Sequence, residues 1–287
     1  MHHAREVSQV IRGMPAADGD GVKLTRLIGS PYLDQLDPFL LLDAFGSDSP
    51  QDYIGGFPSH PHRGFETVTY MLAGSMRHED SAGNAGTIEA GCVQWMTAGR
   101  GIIHSEMPQQ SAGLLAGFQL WINLPSTHKM TPPAYQERTA AEIPIETLKD
   151  GTRVKVIAGQ TRRGTQGVIE NGLTEPVFWD VSLLAGGCLD ERLTPTHNAF
   201  IYVIAGELTI GASQDHLVTG QLAILGSGDG VVIEATEASR FLLIAAKPLN
   251  EPVERAGPFV MNTRAEIDQA FTDYRQGRLA QSTSTVD

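Results

Sequence analysis

An internal repeat constrains this chain more than any other feature of its sequence. Residues 70–74 read YMLAG and residues 202–206 read YVIAG, so two apolar segments that end in glycine lie 132 residues apart. Three glycines also recur, with an offset of 129 residues: Gly91, Gly99 and Gly101, then Gly220, Gly228 and Gly230. Two blocks in the same order with nearly the same offset indicate two homologous domains in tandem.

Both halves of the chain are predicted to consist of short β-strands. Apolar and β-branched runs that are separated by Gly, Pro and Asn are typical of a β-sandwich or β-barrel. Such runs cover residues 23–28, 67–72, 117–124, 154–158, 178–184, 200–204, 231–234 and 241–246. The sequence therefore predicts an all-β fold.

The C-terminal region departs from this pattern. Thr263 and Glu266 have the spacing of a capping box, which predicts the start of a helix. Apolar residues then fall on one helical face before Gly277: Ile267, Ala270, Phe271 and Tyr274. We expect a helix that docks on a β-domain, followed by a disordered polar tail over residues 280–287.

The domain boundary is predicted from a proline-rich segment. Residues 125–144 contain Pro132, Pro133 and Pro144, which disfavour continuous strand pairing, so we interpret this segment as a linker. The predicted domains are residues 1–135, with the metal site described below, and residues 136–287, without a metal site and ending in the helix and tail.

Composition excludes several classes of function. The formal net charge is −12, which argues against general binding to the nucleic-acid backbone, although a net charge does not describe local patches. Cys92 and Cys188 are the only cysteines and do not form a Cys-x-x-Cys motif, so neither a disulfide framework nor a cysteine-rich zinc site is expected. With no long apolar run and no export signal, we expect a cytoplasmic protein that does not enter a membrane.

Two pairs of metal-ligand residues occur in the first half. His60 and His62 are two residues apart, so on a strand both imidazoles project from the same face. His104 and Glu106 have the same spacing and follow the Gly99-x-Gly101 turn, which could return the chain towards the first pair. Three imidazoles and one carboxylate suit a borderline divalent metal ion. If the ion prefers five or six ligands, open positions remain for substrate, dioxygen or water.

The segments that contain these residues resemble the pirin family of bicupins. The resemblance is carried by GFPSHPHRGFETVTY at residues 56–70 and QWMTAGRGIIHSE at residues 94–106. Further similar segments are DPFLLLD at residues 37–43, LWINLP at residues 120–125 and GPFVMNT at residues 257–263. The resemblance therefore extends over essentially the whole chain.

The resemblance implies two tandem cupin domains of jelly-roll or β-barrel type. It also implies one divalent metal ion per chain, with His60, His62, His104 and Glu106 as its ligands. The expected ion is Fe²⁺, and the same ligands also accept Cu, Ni, Mn, Co or Zn.

Two classes of function follow from the resemblance. The first is a metal-dependent dioxygenase that cleaves flavonols such as quercetin with O₂ and releases CO, with Glu106 as ligand and general base and a small aromatic molecule as substrate. The alternative is an iron-bound, redox-responsive regulatory protein that binds a transcription factor or a metabolic enzyme. A metal-free isomerase or sugar-binding cupin is disfavoured, because it leaves both ligand pairs unexplained.

Other polar residues receive structural interpretations. Glu66 stands where many cupins have a carboxylate ligand, but we favour Glu106 and expect Glu66 to lie outside the metal's ligand set. His78 is expected in an exposed loop, and Lys129 in solvent. The repeat aligns Arg192 and Thr194 with the first ligand pair and Ile233 and Ala235 with the second, which predicts that the second domain binds no metal.

Overall fold

A computed structural model describes residues 3–281 of the chain. In the first half the strands are β1 (Val7–Arg12), β2 (Met14–Asp18), β3 (Val22–Ile28), β4 (Phe39–Ser47), β5 (Phe57–His62), β6 (Phe65–Ala73), β7 (Ser75–Asp80), β8 (Ala85–Glu89), β9 (Val93–Thr97), β10 (Ile102–Pro108), β11 (Leu115–Asn123) and β12 (Ala134–Arg138). Short 3₁₀ helices cover Pro50–Asp52 and Ser126–His128.

The second half continues with further strands and the C-terminal helix. They are β13 (Ile145–Thr147), β14 (Arg153–Ala158), β15 (Val177–Leu183), β16 (Cys188–Arg192), β17 (Asn198–Ala205), β18 (Glu207–Ile210), β19 (Asp215–Val218), β20 (Gln221–Leu225), β21 (Gly230–Ala235), β22 (Ser239–Ala246), β23 (Glu254–Ala256), β24 (Phe259–Met261) and α1 (Arg264–Arg275). The predicted all-β architecture with a C-terminal helix is confirmed. No helix within residues 3–281 combines the length and hydropathy needed to cross a bilayer.

The chain divides into two compact units with corresponding sheets. The histidine unit comprises Pro15–Arg26, Phe39–Ala140 and the segment from Leu249 onward. Its sheets have the strand orders β12-β9-β6-β11-β4-β3-β2 and β5-β10-β7-β8. The apolar unit comprises the segment up to Met14, Leu27–Pro38 and Ala141–Pro248. Its sheets have the orders β1-β20-β17-β22-β15-β14-β13 and β16-β21-β18-β19, so the internal repeat is visible in the topology.

These spatial units do not follow a single boundary at residues 135/136. Strand β1 pairs with β20 as an edge strand of the apolar unit, whereas β12 takes the corresponding edge position in the histidine unit. The segment up to Met14 belongs to the apolar unit and the segment from Leu249 onward to the histidine unit, so each terminal segment joins the unit formed mainly by the other half of the sequence. The boundary at 135/136 remains a prediction about domains in sequence order. Most of the predicted tail, residues 282–287, lies outside the described residues.

Helix α1 begins where the sequence predicts it. The Thr263 side chain accepts a hydrogen bond from the backbone N–H of Glu266, and the Glu266 side chain accepts one from the backbone N–H of Thr263. Its buried face packs Ile267 and Ala270 against Phe259. The predicted docking helix is therefore confirmed, and it packs within the histidine unit.

Candidate metal centre

Strands β5 and β10 bring the three predicted histidine ligands together. The strands are antiparallel neighbours, with His104 opposite His60 and Ile102 opposite His62. The three imidazole rings have centroid separations of 4.6 Å for His60–His62, 4.5 Å for His60–His104 and 5.0 Å for His62–His104. One ring nitrogen from each histidine lies within 4.8 Å of the other two. This arrangement is called the imidazole cluster below.

The imidazole cluster fits a divalent cation chemically. Nε2 of His60 lies 2.9 Å from Nε2 of His62, so the lone pairs of two rings converge. His104 is 1% exposed, and neither of its ring nitrogens has a hydrogen-bond partner among the described residues. A buried polar atom without a partner is costly, and a metal ion bound by imidazole nitrogens would satisfy it. The cluster can therefore hold a metal ion.

Burial also keeps these rings in the form that binds metal. Desolvation, together with the neighbouring His60, lowers the pKa of His104 to about 3. Desolvation, with the neighbouring His104 and His60, likewise lowers the pKa of His62 well below its ordinary value. Both rings are consequently neutral near pH 7.

The carboxylate of Glu106 lies next to the imidazole cluster but is held by another partner. A register shift in the pairing of β10 with β5 separates His104 from Glu106. The hydroxyl of Thr69 lies 2.8 Å from Oε1 of Glu106, and Glu106 is not part of the group whose donor atoms meet within 4.8 Å. Burial raises the pKa of Glu106, whereas His60 and the Thr69 hydrogen bond lower it. Its role as a ligand therefore remains a prediction.

Glu66 projects from the opposite face of β6. It stands three positions before Thr69, and side chains alternate between the faces of a strand. The Thr97 hydroxyl donates a hydrogen bond of 2.7 Å to Oε1 of Glu66. The carboxylate of Glu66 is thus held away from the face on which Thr69 contacts Glu106.

His78 is buried, and the expectation of an exposed loop position is wrong. It lies on β7 directly opposite Glu106 of β10 and is 2% exposed. Its Nε2 lies 2.6 Å from Oε1 of Glu137. The signal was available in the sequence, because Met76 and His78 alternate with the polar residues Arg77 and Glu79, as expected for a strand with one buried face.

Lys129 is also buried, contrary to the expectation that it lies in solvent. Its ammonium donates hydrogen bonds to the carbonyl oxygens of Gly64 and Val260, at 2.8 and 3.0 Å, and to Oδ1 of Asn123 at 2.7 Å. These three acceptors explain how a lysine is tolerated inside the unit. Desolvation lowers its pKa to about 8.

A cavity of about 670 Å³ adjoins the imidazole cluster. His60, His62 and Glu106 form part of its lining, together with aromatic residues that include Phe45 and Trp121. Cavities of this size and composition are typical of small-molecule sites. The geometry therefore offers space for an organic ligand next to the cluster.

Trp121 is fixed in the cavity wall by neighbouring side chains. Its ring centroid lies 4.3 Å from that of Phe65 and 5.3 Å from that of His62. The guanidinium carbon of Arg255 lies 4.9 Å from the Trp121 ring centroid, and Arg255 donates a hydrogen bond of 3.0 Å to the Leu40 carbonyl. A flat aromatic surface is thus held rigidly in the cavity lining.

A paired set of charges lies elsewhere in the lining. The Arg26 guanidinium donates two hydrogen bonds to the Asp43 carboxylate, at 2.9 and 2.6 Å, and another of 2.9 Å to Asp18. This bidentate geometry fixes Arg26 in one orientation. The cavity therefore combines an apolar interior with fixed polar groups.

The corresponding positions of the apolar unit carry different residues. His78 and Ile210 are each the fourth residue after the glycine that ends the first repeated block, and they lie opposite Glu106 and Ile233. Strand pairing then gives the counterparts of the predicted ligands. His60, His62, His104 and Glu106 correspond, in this order, to Glu191, Leu193, Val231 and Ile233. Leu193, Val231 and Ile233 belong to the hydrophobic core of the apolar unit.

This alignment corrects the one predicted from the glycines. The turn before β21 is two residues shorter than expected, so Gly101, with φ +142°, corresponds to Gly228, with φ +155°. Arg192, Thr194 and Ala235 are therefore not the counterparts of the ligand residues. Ile233 corresponds to Glu106 rather than to His104.

Comparison with known proteins identifies both halves of the chain. A family model described as Pirin matches residues 21–122, and one described as Pirin C-terminal cupin domain matches residues 178–280. A pirin-like protein of Caulobacter vibrioides is 48% identical over 274 residues, covering 96% of this chain and 99% of that protein. Pirin of Homo sapiens is 43% identical over 283 residues, covering 97% and 95%.

A solved structure agrees with these sequence matches. The crystal structure of quercetin 2,3-dioxygenase from Acinetobacter baumannii superimposes with a TM-score of 0.89 at 36% identity, covering 97% of this chain and 99% of that chain. Because both halves match their family models in order and the relatives align over nearly their full lengths, this chain belongs to the pirin family.

Proposed function

We propose that this protein is a metal-dependent dioxygenase that cleaves a flavonol such as quercetin with O₂. The observation that carries the proposal is the position of the imidazole cluster beside a cavity with aromatic and polar lining, next to the buried carboxylate of Glu106. The similarity to a solved quercetin 2,3-dioxygenase, at 36% identity over 97% of the chain, supports this choice of reaction.

The metal ligands in this proposal are His60, His62, His104 and Glu106, and the expected ion is Fe²⁺. When bound, a divalent ion supplies Lewis acidity and redox chemistry with dioxygen. Of the three histidines, His60 and His62 line the cavity, so an ion held by the cluster would adjoin the space for substrate.

The protein's own residues bind the substrate and accept its proton. Phe45 and Trp121 provide apolar and aromatic surfaces in the cavity lining, which suit a planar ring system. The carboxylate of Glu106, which is buried and lines the cavity, accepts the proton of the flavonol hydroxyl. In the balanced reaction, both atoms of O₂ enter the ring-opened product and one ring carbon leaves as CO.

The test combines metal analysis with flavonol consumption. We expect protein purified without oxygen to retain about one metal ion per chain and to consume quercetin once air is admitted, as followed by its absorbance. His62→Ala should lose both properties. His128→Ala, which changes an exposed histidine, is the matched control and should retain both.

The same experiment addresses the regulatory alternative. Metal bound at full occupancy without quercetin consumption, for every reconstituted ion, would contradict the dioxygenase proposal. That result would favour the alternative, an iron-bound, redox-responsive regulatory protein.

A further inference from the structure

A hydrogen-bonded chain of three side chains connects Glu106 to the cavity by a second route. Oγ1 of Thr69 lies 2.8 Å from Oε1 of Glu106 and 2.7 Å from Oε1 of Gln119. Thr69 on β6 and Gln119 on β11 are directly opposite each other, so the sheet fixes their separation. Thr69 is 2% exposed, whereas Gln119 and Glu106 both line the cavity.

The number of donor protons determines which group donates in each of these two hydrogen bonds. The Thr69 hydroxyl has one proton and cannot donate it to Glu106 and Gln119 at once. A carboxylate that binds a cation is an acceptor, so the hydroxyl of Thr69 must donate to Glu106. The Gln119 amide then donates from Nε2 to Oγ1 of Thr69, which requires exchanging the positions of the amide oxygen and nitrogen, two atoms of similar size.

We propose that Thr69 is a positioning residue for Glu106 and that Gln119 determines specificity in the cavity. With its nitrogen donating to Thr69, the Gln119 amide presents its oxygen to the ligand, where it accepts a hydrogen bond from a hydroxyl group. The inference deepens the proposed function and rests on it. Gln119 would then favour hydroxylated aromatic substrates that place an O–H group beside its amide oxygen.

The apolar unit provides an internal comparison. Ile201 and Leu243 are opposite each other there, as Thr69 and Gln119 are in the histidine unit. The counterpart of Glu106 is Ile233, and all three counterparts are completely buried in the hydrophobic core. The fold therefore accommodates hydrocarbon at all three positions, and packing alone does not require the polar chain of the histidine unit.

The test of Thr69 uses metal affinity as well as activity. Thr69→Val keeps the side-chain shape but removes the hydroxyl, and we expect affinity for Mn²⁺ or Ni²⁺ in calorimetry to fall about 10- to 100-fold. Thr69→Ser should restore it. Thr97→Val, which removes the hydroxyl bound to Glu66 on the other face, is the matched control and should bind metal like the wild type.

The test of Gln119 uses ligand binding without oxygen. Gln119→Leu should bind metal normally but bind quercetin about 10-fold more weakly under anaerobic conditions, and in air its KM should rise more than its kcat falls. The difference in affinity between wild type and Gln119→Leu should disappear with a flavonol analogue that lacks the hydroxyl group that donates a hydrogen bond to Gln119. A loss that is equal for every analogue would overturn the specificity assignment.

Further outcomes separate this inference from the proposed function. A folded Thr69→Val variant with wild-type metal affinity overturns the positioning role, whatever its activity. If Thr69→Val does not fold, Thr69→Ser decides the question, since weak metal binding by this variant contradicts the role of the hydroxyl. Wild-type protein that binds metal but not quercetin refutes the proposed function together with the Gln119 assignment, while the Thr69 test stands.

Discussion

At the scale of single residues, burial controls the chemistry of the imidazole cluster. His62 and His104 are almost completely buried, and desolvation keeps both rings neutral. Neutral imidazole is the form that binds a metal ion, so the fold prepares the ligands before the ion arrives. The same burial makes the metal-free protein sensitive to acid.

His104→Gln should reduce the acid sensitivity of metal-free protein. The pKa of His104 is about 3 in the folded chain and about 6.5 when unfolded, so the stability present above pH 6.5 is lost as the pH falls towards 3. A single such ring contributes a loss of about 2 kcal/mol between pH 7 and pH 5. Urea unfolding at the two pH values measures this loss, which should be smaller in the variant.

The control for this prediction is His128→Gln, at an exposed histidine, which should show the wild-type loss. His62 contributes in the same direction, so the loss in His104→Gln should be reduced rather than abolished. Equal losses in wild type and His104→Gln would show that the His104 ring does not resist protonation in the folded state.

At the scale of secondary-structure elements, the turn between β5 and β6 holds the first ligand pair in place. Gly64 in this turn has φ +89° and donates a backbone hydrogen bond of 2.8 Å to the carbonyl of Gly99. A Cβ atom at position 64 would lie 1.9 Å from the carbonyl oxygen of Val260. The close approach of β24 therefore requires glycine here.

Gly64→Ala should destabilise the protein by about 2 kcal/mol or more and weaken metal binding, because the turn must move away from β24. Chemical unfolding and metal titration measure the two effects. Gly83→Ala is the control, since Gly83 has the same φ of +89° and a Cβ atom there would meet no described atom within 4 Å. A Gly64→Ala variant no less stable than Gly83→Ala would refute the steric explanation.

Lys129→Met should destabilise the protein by about 3 kcal/mol. The change leaves the buried carbonyls of Gly64 and Val260 and the Asn123 amide oxygen without their donor, which outweighs the removal of a buried charge. Lys149→Met, at an exposed lysine, is the control for equilibrium unfolding and should have little effect. Wild-type stability in Lys129→Met would contradict the role assigned to this ammonium.

The strands and the ligand pairs were predictable because they depend on local patterns. His60 and His62 could be assigned to one strand face from their spacing alone, and the capping box at Thr263 located helix α1. The burial of Lys129 was not predictable, because its acceptors Gly64 and Val260 are far from it in sequence.

At the scale of the whole molecule, one repeated topology serves two purposes. The histidine unit has a polar interior around the imidazole cluster, whereas the corresponding positions Leu193, Val231 and Ile233 in the apolar unit are hydrophobic core. The sequence repeat predicted two similar domains. The residue-by-residue alignment of the two repeats at the ligand positions could not be predicted, because the turn before β21 is shortened by two residues without changing the strand order.

Metal binding should stabilise the histidine unit alone. Metal at 100 times its dissociation constant contributes about 2.7 kcal/mol to the stability of the unit that binds it. Calorimetric unfolding with and without a chelator should therefore shift one transition, and His62→Ala should abolish the shift. A shift that persists in His62→Ala would place the metal elsewhere.

The incorporation of labelled oxygen tests the central claim most directly. Metal-loaded protein is incubated with quercetin under ¹⁸O₂, and the product is examined by mass spectrometry. The account predicts two ¹⁸O atoms in each ring-opened product, with CO released, and no product from His62→Ala. A product without ¹⁸O, or the same yield from His62→Ala, would contradict a dioxygenase reaction at the imidazole cluster.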